Sequence, residues 1–197
     1  MIHHVWGLLA HPNQEWRQIE HEGDSVTQLY VSHVLIMALI PVVCSLIGTT
    51  TVGWNFGEGG AVALSMGSAI ALAVTFYLAI LLAVAFMGTV LHWSARHFPT
   101  RPTRNRCIVF AGYVATPMFV AGVVALYPIV WLCSLAVVVG LCYSAYLLYV
   151  GLPAFFNITR KESMLVFSTT MAVGVLVLEA LLALTVVLWG YGAAMIS

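Results

Sequence analysis

Charge is what this chain has least of. Lys, Arg, Asp and Glu together supply 7% of its 197 residues, where a soluble domain carries roughly 25%. A water-soluble globular fold is excluded. Seven basic residues balance seven acidic ones, so no net field recruits nucleic acid or another polyanion. Cysteine is sparse too. Cys44, Cys107, Cys133 and Cys142 show no CxxC spacing and sit in or beside apolar runs, which argues against a disulfide framework or a metal knuckle. Catalytic motifs are missing as well: there is no HExxH and no GxSxG. Gly57-Glu58-Gly59-Gly60 lacks the Lys-Ser/Thr ending of a phosphate loop. Neither an enzyme activity nor a cofactor is expected. The first 28 residues hold no long apolar core with a small-residue cleavage site, so no cleavable signal peptide is expected.

What the chain has is apolar length. Hydrophobic residues make up 62% of it and the mean hydropathy is +1.01, the composition of an integral membrane protein. Five segments, approximately 29–48, 66–91, 107–126, 129–150 and 164–188, each approach the ~20 residues that cross about 30 Å of hydrocarbon. Tyr127-Pro128 reads as a tight hairpin turn between the third and fourth. The fold class expected is therefore an all-α membrane protein, a five-transmembrane-helix bundle over 29–192. Short interfacial amphipathic helices within residues 1–28 precede it.

The distribution of charge orients the bundle. Arg17 precedes the first span, Arg96, Arg101, Arg104 and Arg106 lie between the second and third, and Arg160 and Lys161 lie between the fourth and fifth. The alternate side carries none. By the positive-inside rule the N-terminus is cytoplasmic and the C-terminus periplasmic. Tryptophans fit the same layout as headgroup-level anchors, with Trp54, Trp131 and Trp189 at outer ends and Trp6, Trp16 and Trp93 on the inner side.

Ahead of the spans, Ile2, Val5, Trp6 and Leu9 follow the spacing of one helical face, and Pro12 can open a second helix on which Trp16 and Ile19 face together. Such a segment lies in the interface with that apolar face buried. His3, His4, His11 and His21 with Glu15 read as a solvated face, and no metal is assigned to them, although His11 and Glu15 are i, i+4 partners.

Several stretches carry a family resemblance: HVWGLLAHPNQEW, IGTTTVGWNFGEG, FAGYVATPMFVAGVVALYPIVWLC, YLLYVGLPAFFNI and GVLVLEALLALTVVLWGYG. They resemble the bacterial inner-membrane branch of the YIP family, named for proteins that interact with Ypt/Rab GTPases. The resemblance implies a five-span bundle with a cytosolic N-terminus. It does not carry over Rab binding, because the D-L-Y-G-P motif of the eukaryotic relatives is missing from this sequence.

Two sets of residues are candidates for a function. Glu179 lies 15 residues into the fifth span, roughly 22 Å along its axis, where an acidic side chain costs ~2.5–3.5 kcal/mol to insert. Tyr77, Thr116 and Tyr143 fall at similar depth and can hydrogen-bond a carboxyl group. The backbone breakers Pro41 and Pro117 lie near the same level, as in transporters with broken helices or as simple kinks. Glu179 is expected to face the bundle interior, either linking helices or carrying protons, with His33 and His92 as interfacial residues or a proton path toward it. Small residues at Ala136, Gly140 and Ser144, and at Gly112 and Thr116, predict close packing of the third and fourth spans. The second set, Arg96, Arg101, Arg104 and Arg106, forms a basic loop that anionic headgroups attract. The function expected is a non-enzymatic membrane organiser whose partners are membrane lipids, other membrane proteins or a second copy of itself. A small ion or solute transporter, or a proton-coupled permease, is the alternative.

Overall fold

A computed structural model describes residues 6–8, 10–22, 25–53, 65–96 and 102–194, without the side chains of residues 13, 22 and 188–194. Six helices organise it: α1 (Pro12–Glu22), α2 (Val26–Val52), α3 (Met66–Ala95), α4 (Arg104–Leu126), α5 (Val130–Phe156) and α6 (Arg160–Ala194). The protein is an all-α bundle, and α2 to α6 are each long and apolar enough to cross a membrane.

Local sequence starts and stops these helices. Pro12 opens α1, where its missing N–H costs nothing. Ser25, Ser65 and Thr103 cap α2, α3 and α4 by accepting from the amides of Gln28, Ser68 and Arg106. Thr159 and Glu162 form a capping box for α6: the carboxylate accepts from the Thr159 amide at 2.9 Å and its hydroxyl at 2.8 Å. Asn157 ends α5 in the left-handed conformation with φ 55°, leaving a turn of only three residues before α6.

Prolines act differently in two spans. α2 continues through Pro41, although it contains single π turns at Tyr30–Val34 and Gly48–Val52. α4 breaks at Ala115, resumes with Pro117 near the start of the second piece, and tightens into a 3₁₀ turn over Gly122–Leu126. Pro117 thus sits where its missing donor is tolerated, and the cost appears as a kink.

α4 is the central helix. In its apolar window 56% of residues are buried, against 6% for α6, which packs mainly on α3. Glycines set the closest approaches. A β-carbon on Gly88 would collide with the Ile108 backbone, joining α3 to α4, and one on Gly122 would collide with Pro41, joining α4 to α2. The predicted stripes divide between neighbours. Gly140 does meet α4, at Ala121, Met118 and Pro117, whereas Gly112 faces Leu29 and Val34 of α2.

The pre-membrane segment departs from expectation. Ile2, Val5 and Leu9 lie outside the described residues. Trp6, expected to be buried, is 73% exposed, while Leu8 is buried completely. Trp16 and Ile19 do face together, and both are buried. Trp16 is not an interfacial anchor but a core residue, unlike Trp93 and Trp131, which stay exposed.

Candidate functional site

Every predicted site residue except Arg101, which lies outside the described residues, has a definite place, and those of the intramembrane set do not converge. Glu179 is exposed on α6, on a face it shares with the exposed Ala172, Ala183 and Val186. The expectation that it faces the interior is corrected. α6 turns its other side to α3, and no hydrogen-bond partner reaches the carboxyl among the described residues. Tyr77 and Tyr143 direct their hydroxyls elsewhere. The Tyr77 hydroxyl donates to the Leu35 carbonyl of α2 at 3.1 Å, and that of Tyr143 to the Leu8 carbonyl at 3.3 Å. Both tyrosines tie helices or segments together.

Thr116 is fully buried, and its hydroxyl lies 2.9 Å from His33 Nε2. The His33 ring also packs on Tyr113 at 4.8 Å between centroids. His33 is therefore not interfacial. A buried imidazole and a buried hydroxyl satisfy each other across α2 and α4, beside the Pro117 kink, which leaves neither as an uncompensated polar group. The π turn around His33 aims it there, and nothing in the spacing of apolar residues announces such a turn. His92 stays at its helix end, with Nδ1 3.0 Å from the Pro102 carbonyl. Pro41 packs on Gly122, and Pro117 is buried.

The second set is gathered. The end of α3, the starts of α4 and α6, and α1 lie at one end of the bundle, so all described cations share that end. Arg101 lies outside the described residues. Arg96 stacks over the Trp93 ring at 5.4 Å, Arg104 donates to the Thr89 hydroxyl at 3.2 Å, and Arg160 donates to the Tyr149 hydroxyl at 3.2 Å. Arg17, Arg96, Arg104, Arg160 and Lys161 are exposed.

Arg106 has a structural role besides. Its Nη2 donates to Glu20 Oε1 at 2.7 Å and to the Phe155 carbonyl at 2.8 Å, with the guanidinium 5.0 Å from the Phe155 ring centroid. This clamp closes over an aromatic cluster: Trp16 lies 4.6 Å from Phe110 and 5.9 Å from Phe155, and Phe110 lies 5.1 Å from Phe156. Gly151 makes the space, since a β-carbon there would strike Trp16 and Phe110. α1 is thereby fixed as a lid on the cation-bearing end. The sequence signal for this arrangement was weak: Phe155-Phe156 reads as one more apolar stretch. Among the described residues no group of three or more His, Cys, Asp or Glu gathers to hold a metal.

Similarity to known proteins extends over nearly the whole chain. A family model described as the Yip1 domain matches residues 6–193. The chain is 56% identical over 189 residues to "Inner membrane protein YohC" of Escherichia coli strain K12, covering 96% of this chain and 97% of that one. The protein of the same name from Escherichia coli O6:H1 strain CFT073 matches to the same extent. No solved structure matches.

Proposed function

The chain belongs to the Yip1 family, and from that premise we propose that it is a non-enzymatic organiser of the bacterial inner membrane that binds anionic lipid headgroups at its cytoplasmic end. One observation carries this reading. The described cations lie together at the end of the bundle on which α1 docks, where Arg106 pairs with Glu20. Each Lys or Arg near an anionic surface contributes about 1 kcal/mol, and salt weakens the attraction.

The test is lipid selectivity in mixed bilayers. Spin-labelled phosphatidylglycerol should associate with the protein more strongly than spin-labelled phosphatidylcholine. The preference should fall as salt is raised, and it should largely vanish when Arg17, Arg96, Arg104, Arg160 and Lys161 are all changed to Gln. An equal preference in the wild type and that variant would exclude the reading.

Orientation is part of the proposal, because the positive-inside rule requires the cation-bearing end to be cytoplasmic. A reporter fused after Ser197 should be active on the periplasmic side, and one inserted within residues 97–101 on the cytoplasmic side. Periplasmic activity of the second would invert the bundle and remove the lipid argument with it.

The geometry offers the permease alternative no comparable support. Its carboxyl site would need Glu179, Tyr77, Thr116 and Tyr143 around one volume, and these side chains point to separate partners or outward.

A further inference from the structure

Two arginines at the cation-bearing end point back toward the middle of the span. A β-carbon on Gly88 would collide with the Ile108 backbone, so these residues stand side by side on α3 and α4, which run in opposite directions. Arg104, four residues before Ile108, is then level with His92, and the 3.0 Å contact of His92 Nδ1 with the Pro102 carbonyl fits that register. Long cationic side chains at such a level ordinarily extend outward to the headgroups. Arg104 turns back instead. Its Nη2 donates to the Thr89 hydroxyl at 3.2 Å, three residues and about 4.5 Å nearer the middle of α3. Arg96 likewise folds back over the Trp93 ring, with Cζ 5.4 Å from the centroid.

Neither charge is neutralised. Among the described residues Glu20 pairs with Arg106, and no carboxylate pairs with Arg96 or Arg104. Thr89 offers Arg104 only a lone pair, because its own hydrogen goes to the Ala85 carbonyl at 3.0 Å. It orients the guanidinium without cancelling the charge. Both arginines remain exposed, and the residues they fold back on, Thr89 and Trp93, are about 6 Å apart along the axis. Leu78, Leu82, Phe86, Thr89, Trp93 and Arg96 succeed one another at intervals of three or four residues, which puts them on one face of α3. The three apolar members that precede Thr89 are exposed. This face therefore carries two unpaired cations at the end of an apolar track.

We propose that this face of α3 binds one lipid bearing two phosphates joined through a glycerol, a diphosphatidylglycerol, with one phosphate on Arg104 and the other on Arg96. The inference rests on the anionic-lipid reading above and gives it a headgroup class and a place. Charge complementarity selects the class. A phospholipid whose acyl chains follow Leu82 and Phe86 sets its phosphate at Arg104, and whatever succeeds that phosphate reaches the level of Trp93 and Arg96. An ethanolamine headgroup would bring an ammonium beside a guanidinium there. The neutral glycerol of phosphatidylglycerol would leave Arg96 unpaired. A second phosphate pairs it, and the planar fork of arginine can meet two phosphate oxygens at once.

The test compares spin-labelled diphosphatidylglycerol with spin-labelled phosphatidylglycerol on the full chain in phosphatidylcholine bilayers at one fixed salt concentration, since salt screens both. The two-phosphate lipid should associate about fivefold more strongly, the equivalent of the about 1 kcal/mol that one further arginine contributes. Arg96→Gln should bring that ratio near one. Arg17→Gln combined with Arg160→Gln, at the same end of the bundle, should weaken both lipids together and leave their ratio unchanged. Thr89 is a positioning residue: Thr89→Val keeps every charge yet frees the Arg104 guanidinium, and should lower association of the two-phosphate lipid about threefold, the effect of one hydrogen bond, while Thr89→Ser restores it. A ratio near one in the wild type would overturn the proposal, as would an undiminished ratio in Arg96→Gln. So would a ratio that falls equally in the Arg17 and Arg160 variant, because the preference would then follow total charge. Any of these results with phosphatidylglycerol still preferred over phosphatidylcholine removes this site alone, whereas loss of that preference in the wild type removes the general lipid reading with it.

Discussion

Trp16→Ala is expected to release α1 from the bundle while leaving the five spans inserted. Trp16 is fully buried, in contact with Phe110 and Phe155 and seated over Gly151. Truncating a buried aromatic of this size costs about 3–5 kcal/mol. An 11-residue helix does not hold itself together in water once its packing is lost. Amide hydrogen exchange over residues 12–22 should therefore accelerate by about a hundredfold or more, since each 1.4 kcal/mol is roughly a factor of ten. Trp16→Phe should be far milder. It keeps a ring in the cluster and removes an indole N–H that is buried without a partner, so the lost area is partly offset by the lost desolvation cost. Unchanged exchange in Trp16→Ala would show that the aromatic cluster does not hold α1 on the bundle.

Glu179→Leu should make the full chain more resistant to unfolding in detergent. An acidic side chain within the hydrocarbon costs up to about 2.5–3.5 kcal/mol on the insertion scale, and leucine gains about 0.3–0.6 kcal/mol. Because the carboxyl is exposed on α6, the substitution sacrifices no packing, and the gain is some part of the insertion difference, at most about 3 kcal/mol, as far as unfolding carries α6 out of the apolar phase. Glu179→Gln, which remains polar, should gain much less. A loss of stability in Glu179→Leu, accompanied by a fall in apparent mass on size exclusion, would mean that the carboxyl bonds to a second copy of the chain. A loss without a change in mass would mean that it finds a partner within its own bundle. Either outcome would contradict its placement on a free lipid-facing surface.

The two candidate sets fared differently, and the reason is physical. The basic residues sit in α1 or at helix ends beside the connections, and alternating span direction brings every second connection to the same end, so counting spans suffices to group them. Glu179, Tyr77, Thr116 and Tyr143 share a depth, which rise per residue supplies, but sharing a site also requires facing one another. That depends on how each helix is rotated about its axis. In a soluble protein an amphipathic stripe would report the rotation. In a helix apolar all round, such as α3, α5 or α6, no stripe distinguishes the packed side from the lipid side.

The sequence by itself determined that this chain has five segments long and apolar enough to cross a membrane, roughly where each lies, and which connections carry the positive charge, although the helices run several residues beyond the predicted spans. Those properties follow from segment length, hydropathy and the placement of the arginines and lysine, all of which are local. Only the tertiary structure decided that α4 is the centre, that Trp16 is a core residue and Glu179 a surface one. It also decided that His33 meets Thr116, and that Arg104 turns back to Thr89. Those outcomes turn on helix rotation, on two π turns, on the break at Ala115, and on glycines that let particular backbones touch. With lipid and protein equally apolar, close packing and buried hydrogen bonds choose among helix faces that the hydrophobic pattern leaves equivalent.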